Sequence, residues 1–208
     1  MLAGVNGAGK SSIGGAMLRA SGADYYNPDE AAREIRKANP GLAQREANGL
    51  AWGKGRDLLR RAIDGRKDFV LESTLGAHTI PAMLAEAAQK GAAVHVWFVG
   101  LDDVERHLAR VRARVKAGGH DIPEADIRRR YETSRENLAW LMPSLTSLRL
   151  YDNAFEADPA SGASPRPRLL LHLEGGRIVA PANLRATPGW AKALVAKAMV
   201  IARGAGAG

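Results

Sequence analysis

Apolar positions along this chain alternate between two rhythms. Phe69-Val70-Leu71 is a short continuous apolar run, the pattern of a strand buried on both faces, and Val94 to Val99 reads the same way. Leu148-Arg149-Leu150-Tyr151 predicts a further strand, Met1-Leu2-Ala3 and Asp24-Tyr25-Tyr26-Asn27 two shorter ones. Between them the period lengthens to that of a helix. Ile13, Met17 and Leu18 mark one buried stripe; Val104, Leu108, Val111 and Val115 mark another over Asp102 to Lys116. Ile127, Tyr131, Leu138 and Leu141 do so for a helix from Pro123 to Met142. Helices are also predicted over Glu30 to Lys37, Ala43 to Ile63, Ile80 to Gln89 and Pro188 to Ala202. Leu169 to Leu173 and Arg177-Ile178-Val179, joined at Glu174-Gly175-Gly176, predict a β-hairpin. Strands alternating with helices imply an α/β fold whose parallel sheet is covered on both faces.

Composition narrows the class. The 208 residues suit one domain, with 46% hydrophobic residues to build its core. There are no cysteines, which removes disulfides, thiolate metal sites and cysteine nucleophiles and fits a reducing cytoplasm. No apolar run approaches the ~20 residues that span a bilayer. Net charge is +8, and much of the excess lies between Arg106 and Arg135. With no aromatic platform interleaved among those arginines, a polyanionic nucleotide is a more economical partner than nucleic acid.

The candidate chemistry starts at the third residue's end. Gly4-Val5-Asn6-Gly7-Ala8-Gly9-Lys10-Ser11 is a complete phosphate-binding loop, and Ser12 follows in the first helical turn. Its glycines let backbone N–H groups approach phosphate oxygens. Lys10 reaches the β- and γ-phosphates, and the Ser11 hydroxyl is the Mg²⁺ ligand. ATP, or GTP, with Mg²⁺ is therefore the expected cofactor. Ligands in open α/β sheets bind outside the strands' carboxyl ends, which brings Asn27-Pro28-Asp29 and Glu72-Ser73-Thr74 to the same place. Asp29 is the candidate base, because its strand is expected beside that of the phosphate loop; the alternative is a helix cap. Glu72 either binds a substrate hydroxyl, holds a water on Mg²⁺ or forms an ion pair, and Asn27 and Thr74 flank it. Arg110 and Arg114 share one flank of their helix. Arg130 and Asn137 share a flank of the next, with Arg128 and Arg135 opposite and Arg129 pointing away. Arg130 and Arg114 are thus the candidates for stabilising the transferred group, and Arg110 for holding the nucleotide. Gly118-Gly119 gives a hinge for a lid spanning about 110–137. His120 beside it is a candidate switch, catalytic base or substrate-binding residue, or fixes the loop by hydrogen bonding. Three residues before the loop are few for a central strand of ~5–6, which predicts a native start upstream of Met1.

Six segments carry a resemblance: GVNGAGKSS at 4–12, NPDEAAREI at 27–35, VLEST at 70–74, RVRARVKAGGHDIP at 110–123, IRRRYETSRENL at 127–138 and YDNA at 151–154. In this order they resemble the zeta toxin family of P-loop kinases, specifically its short zeta-toxin-like branch. The resemblance implies a P-loop kinase-like fold with a helical lid and, here, a C-terminal hairpin and helix at about 168–203. It implies a kinase in which the equivalent of Asp29 is the base, while Lys10 and the lid arginines stabilise the transferred phosphoryl group. Zeta toxins phosphorylate the sugar of UDP-N-acetylglucosamine and belong to toxin–antitoxin pairs. An acceptor hydroxyl on a UDP-amino sugar is the corresponding expectation. The rival readings are an antibiotic-modifying kinase and a nucleotide-binding regulatory protein without turnover. A transport ATPase is excluded by the missing LSGGQ-like segment and the missing strand ending Asp-Glu.

Overall fold

The computed structural model of the chain describes residues 1–10, 25–154 and 167–206. Its sheet contains β1 (Leu2–Ala3), β2 (Tyr25–Tyr26), β3 (Val70–Ser73), β4 (His95–Gly100), β5 (Ser147–Asp152), β6 (Arg168–Glu174) and β7 (Arg177–Ala180). The order is β2-β3-β1-β4-β5-β6-β7. Strands β1 to β5 pair in parallel, whereas β6 and β7 add an antiparallel edge. The predicted hairpin therefore continues the main sheet. Gly175 and Gly176, with φ of 53° and 76°, supply the two left-handed positions its tight turn demands.

Helices α1 (Pro28–Ala38), α2 (Gln44–Asp64), α3 (Thr79–Gln89), α4 (Val104–Lys116), α5 (Glu124–Leu141) and α6 (Lys192–Ala205) flank the sheet. The helix expected at Ile13 to Leu18, and with it Ser11 and Ser12, lies outside the described residues. Alternation sorts the central strand cleanly: Val96 and Phe98 of β4 join the main core, while Val99 packs with Leu2 and Ala8 on the other face. The main core brings α3, α5 and α6 onto the sheet through Leu84, Leu138, Leu141, Leu194 and Val195. Two smaller clusters stand apart from it. Val5, Leu108, Val111, Ile122 and Ile127 join α4 and α5 to the phosphate loop. Ala32, Ala47 and Ala51 join α1 to α2.

One expectation is corrected. β3, not β2, lies beside β1 on this side, with Leu2 level with Glu72. The strand leading to Asp29 is one position further out. Glu72 is also within β3 rather than beyond its end.

Gly100 closes β4 directly beneath Trp190, whose ring would lie 2.3 Å from an added Cβ. Gly100→Ala should therefore destabilise the protein by about 1–3 kcal/mol, the ordinary penalty for overpacking a filled core. A lowered urea midpoint with an unchanged slope would show it, and an unchanged midpoint would contradict this packing.

Candidate active site

The parallel strands end on one edge, and the phosphate loop leaves β1 there. Gly4 has φ of 141°, and an added Cβ would stand 2.2 Å from the Val99 carbonyl oxygen. Gly7, at φ 80°, is pressed against the His107 backbone, 2.7 Å from its carbonyl oxygen by the same construction. Only glycine fits at either position. The loop's carbonyls are used: Val5 O accepts from Ala8 N, Asn6 O from His107 Nδ1 at 2.9 Å, and Ala8 O from Asn153 Nδ2 at 2.9 Å. Since Asn6 offers a carbonyl, the Nδ1 of His107 carries the proton.

Lys10 is buried and turns back on the protein, with Nζ 3.4 Å from Val5 O and 3.7 Å from Glu72 Oε1. Glu72 is itself buried, and its other oxygen accepts from Tyr25 Oη at 2.5 Å and Asn27 Nδ2 at 3.2 Å. Asn27 is the N-cap of α1, its Oδ1 accepting from the N–H groups of Asp29 and Glu30. Capping therefore falls to Asn27, which leaves Asp29 in the first turn with its carboxylate turned to the lid. Both amide groups of Asn27 are committed to the protein.

Asp29 meets two of the residues that sequence reasoning singled out, Arg114 and His120. Arg114 Nη1 lies 3.7 Å from Asp29 Oδ2, and His120 Nε2 lies 3.7 Å from Oδ1. Arg114 Nη2 donates to the His120 carbonyl at 3.3 Å, while its Nε is buried without an acceptor. Burial holds the His120 imidazole below its ordinary range; Asp29 opposes that shift and Arg114 reinforces it. Arg130 donates to the Asn6 side chain at 2.9 Å, its second nitrogen 3.7 Å from Asp126. Burial lowers its pKa, with Asp126 acting the other way.

Arg129 does not point away as expected. It donates to Gly76 O at 3.1 Å and to Asp126 at 2.9 Å, and borders the same cavity as Arg130. It belongs to a row on α5 that takes up the carbonyls after β3. Thr133 reaches Gly76 O, Ser134 reaches Thr74 O and Asn137 reaches Leu75 O. Thr74 in turn accepts the Gly76 N–H on Oγ1. Arg128 faces Glu105 and Glu124, and Arg135 stacks over Tyr131, so that flank is occupied with α4 and solvent. Arg110 donates to Asn153 O at 2.9 Å, placing it one step behind the loop.

These residues surround a cavity of about 350 Å³ that includes Asn6, Lys10, Asp29, Glu72, Thr74, His120 and Arg130. Its outer wall is a face of α2, Asn48, Trp52 and Arg56, that sequence reasoning missed. The i, i+4, i+8 spacing of a flank with an exposed Trp beside buried Ala47, Ala51 and Gly55 was the available signal. Among the described residues no group of three or more His, Cys, Asp or Glu side chains could hold a metal ion. None of their helices is long and apolar enough to cross a membrane.

A family model described as an AAA domain matches residues 1–136, and the chain belongs to that family. An uncharacterised protein of Haemophilus influenzae is 37% identical over 132 residues, 62% of this chain and 88% of that one. Among solved structures, AvrRxo1-ORF1:-ORF2 with ATP superposes with a TM-score of 0.62 at 20% identity, covering 85% of this chain. The matched region is 58% of that chain, little over half its length. The same complex with sulphate ions gives the same TM-score at 19% identity. At such identities the likeness is one of fold: a mostly parallel sheet flanked by helices, as in a P-loop kinase.

Burial lowers the His107 pKa to about 4, the Asn6 bond opposing the shift. The unfolded chain takes up this proton near pH 6.5, so His107 costs stability as pH falls from about 6.5 to about 4. The cost approaches ~3 kcal/mol at the lower end. Urea unfolding from pH 7 to 4.5 should lose stability more steeply in the wild type than in His107→Asn. Parallel curves would contradict a neutral, buried His107.

Proposed function

We propose that this AAA domain family member is an ATP-dependent phosphotransferase of the zeta-toxin type, acting in the cytoplasm on a hydroxyl of a small molecule. The observation that carries the reading is the convergence on one cavity of a phosphate-loop lysine, a carboxylate and an arginine, Lys10, Asp29 and Arg130, with Arg114 paired to Asp29 from outside its lining. A triphosphate fits the residues present. The backbone at Gly4 and Gly7 excludes side chains, Lys10 needs only to leave Glu72, and Arg114 keeps a buried Nε without an acceptor. Ser11 has the motif position for Mg²⁺, and Glu72 would be the residue to hold a water on the ion. Mg²⁺ there would neutralise charge on the phosphates.

In this reading Asp29 accepts the acceptor's hydroxyl proton as the acceptor oxygen bonds to the γ-phosphorus and ADP leaves with the bridging oxygen. Arg114 and Arg130 neutralise the equatorial oxygens. Arg110 supports the nucleotide through Asn153. Glu72, Thr74 and His120 form the acceptor side, and Asn27, its amide committed to Glu72 and the start of α1, holds Glu72 in place there. Residues 110–137 act as the lid, resting on their own cluster rather than on the main core. The acceptor we assign is a UDP-amino sugar, on the resemblance stated above. A protein partner belongs to the same reading, as AvrRxo1-ORF1 is crystallised with ORF2.

The test is incubation with ATP·Mg²⁺ and a panel of UDP-sugars and amino sugars, read by mass spectrometry for gained phosphate. Asp29→Asn should lower transfer by about 10²–10⁴-fold, with ATP affinity kept within about threefold, a change below ~0.7 kcal/mol. Undiminished transfer would remove Asp29 as the base. A wild type that binds ATP yet phosphorylates no hydroxyl would favour the regulatory nucleotide-binding protein.

A further inference from the structure

We propose that His107 and Asn153 are positioning residues for the phosphate loop, turning its carbonyls away from the bound anion so that its N–H groups converge on it. The inference rests on the nucleotide-binding reading above. In a trans peptide the C=O of one residue and the N–H of the next point in opposite directions. His107 holds Asn6 O at 2.9 Å and so aims the Gly7 N–H the other way. Asn153 holds Ala8 O at 2.9 Å and does the same for the Gly9 N–H. Val5 O is tied by Ala8 N, which turns the Asn6 N–H. Three of the loop's acceptors that would repel a phosphate, the carbonyls of Val5, Asn6 and Ala8, are each given a donor on the far side.

Both donors are fixed. His107 is 1% exposed, its backbone abuts Gly7, and the Tyr131 ring meets its imidazole edge-on at 5.6 Å. Asn153 is 8% exposed; its N–H donates to Gly100 O and its carbonyl accepts from Arg110. Because burial keeps His107 neutral, it donates without adding charge beneath the loop. Neither side chain borders the cavity itself, so each acts through the loop and not on the ligand.

The experiment compares His107→Phe, His107→Asn and Asn153→Ala with the full-length wild type. ATP affinity is measured by calorimetry, and the thermal midpoint without nucleotide alongside it. Asparagine places Nδ2 where the imidazole carries Nδ1, so it keeps the donor while losing the ring. His107→Phe and Asn153→Ala should each weaken ATP binding about tenfold, and His107→Asn less than about threefold. Thermal midpoints should fall in both His107 variants, since both lose the packed imidazole. Affinity that follows the thermal midpoint instead of the donor would overturn the proposal, as would Phe and Ala variants binding like wild type. If His107→Phe does not fold, the contrast between Asn153→Ala and His107→Asn decides. Wild type without ATP affinity would sink the nucleotide reading and this inference together; wild-type affinity with insensitive variants would sink this inference alone.

Discussion

A loop that turns its amide hydrogens toward an anion must dispose of the carbonyls that the same peptide planes turn outward. Much of the architecture at the sheet's carboxyl edge answers that constraint. The first turn of α4 is pressed onto Gly7 so that His107 reaches Asn6 O, and the chain leaving β5 brings Asn153 to Ala8 O. Buried backbone acceptors left without donors would each cost on the order of 1–3 kcal/mol. The order of the sheet follows from the same need. β1 lies between β3 and β4, so the loop leaving it is flanked on one side by Glu72 and on the other by the start of α4.

Charge is handled just as locally. Lys10 and Glu72 are both buried and 3.7 Å apart, and a buried pair is stable only when its remaining lone pairs and protons are satisfied. Tyr25 and Asn27 satisfy one oxygen of Glu72, and Val5 O takes part of the Lys10 charge. This arrangement gives the buried Lys10 Nζ both a carboxylate and a carbonyl as neighbours. It also ties β2, β3 and the phosphate loop to a single carboxylate, which fixes the entrance of α1 and hence the direction of Asp29.

Much of this was legible in the sequence. The phosphate loop and the strand and helix succession follow from motif and periodicity; Asp29, Arg114 and His120 were each singled out from strand ends and helix flanks, but their pairing was not read. Strand order was not legible, because two-residue β1 and β2 leave no pattern that distinguishes neighbours. His107 could have been found: it occupies the buried stripe three residues after Val104 and four before Val111, and a polar residue in that position requires a partner. Ser134 fills the corresponding gap between Tyr131 and Leu138 on α5, and it too is buried and bonded. Arg129 was misread because helical geometry gives a flank but not what packs there. The carbonyls of Thr74 to Gly76 curl toward α5 after Leu75 adopts φ of 54°, a turn unpredictable from a β-branched-free apolar residue.

The two small clusters explain why the site can be built from parts that differ in firmness. Sheet, α3, α5, α6 and, through Leu59, the C-terminal half of α2 share one large core, whereas α1 meets the N-terminal half of α2 through alanines and α4 meets the phosphate loop through a five-residue cluster. Elements with few buried apolar contacts open at lower free-energy cost than those in the main core. The cavity wall of Asn48, Trp52 and Arg56 is on the first of these weakly held pairs, and Arg114 and His120 are at the end of the second. α5 bridges both regimes. Its Leu138 and Leu141 anchor in the main core, while Ile127 joins the smaller cluster and Arg130 reaches Asn6. Polar bonds from Arg129, Thr133, Ser134 and Asn137 then hold its middle to the segment after β3. Arg130 is thereby firmly placed, whereas the Arg114 side chain is bonded, among the described residues, to the neighbouring loop and Asp29.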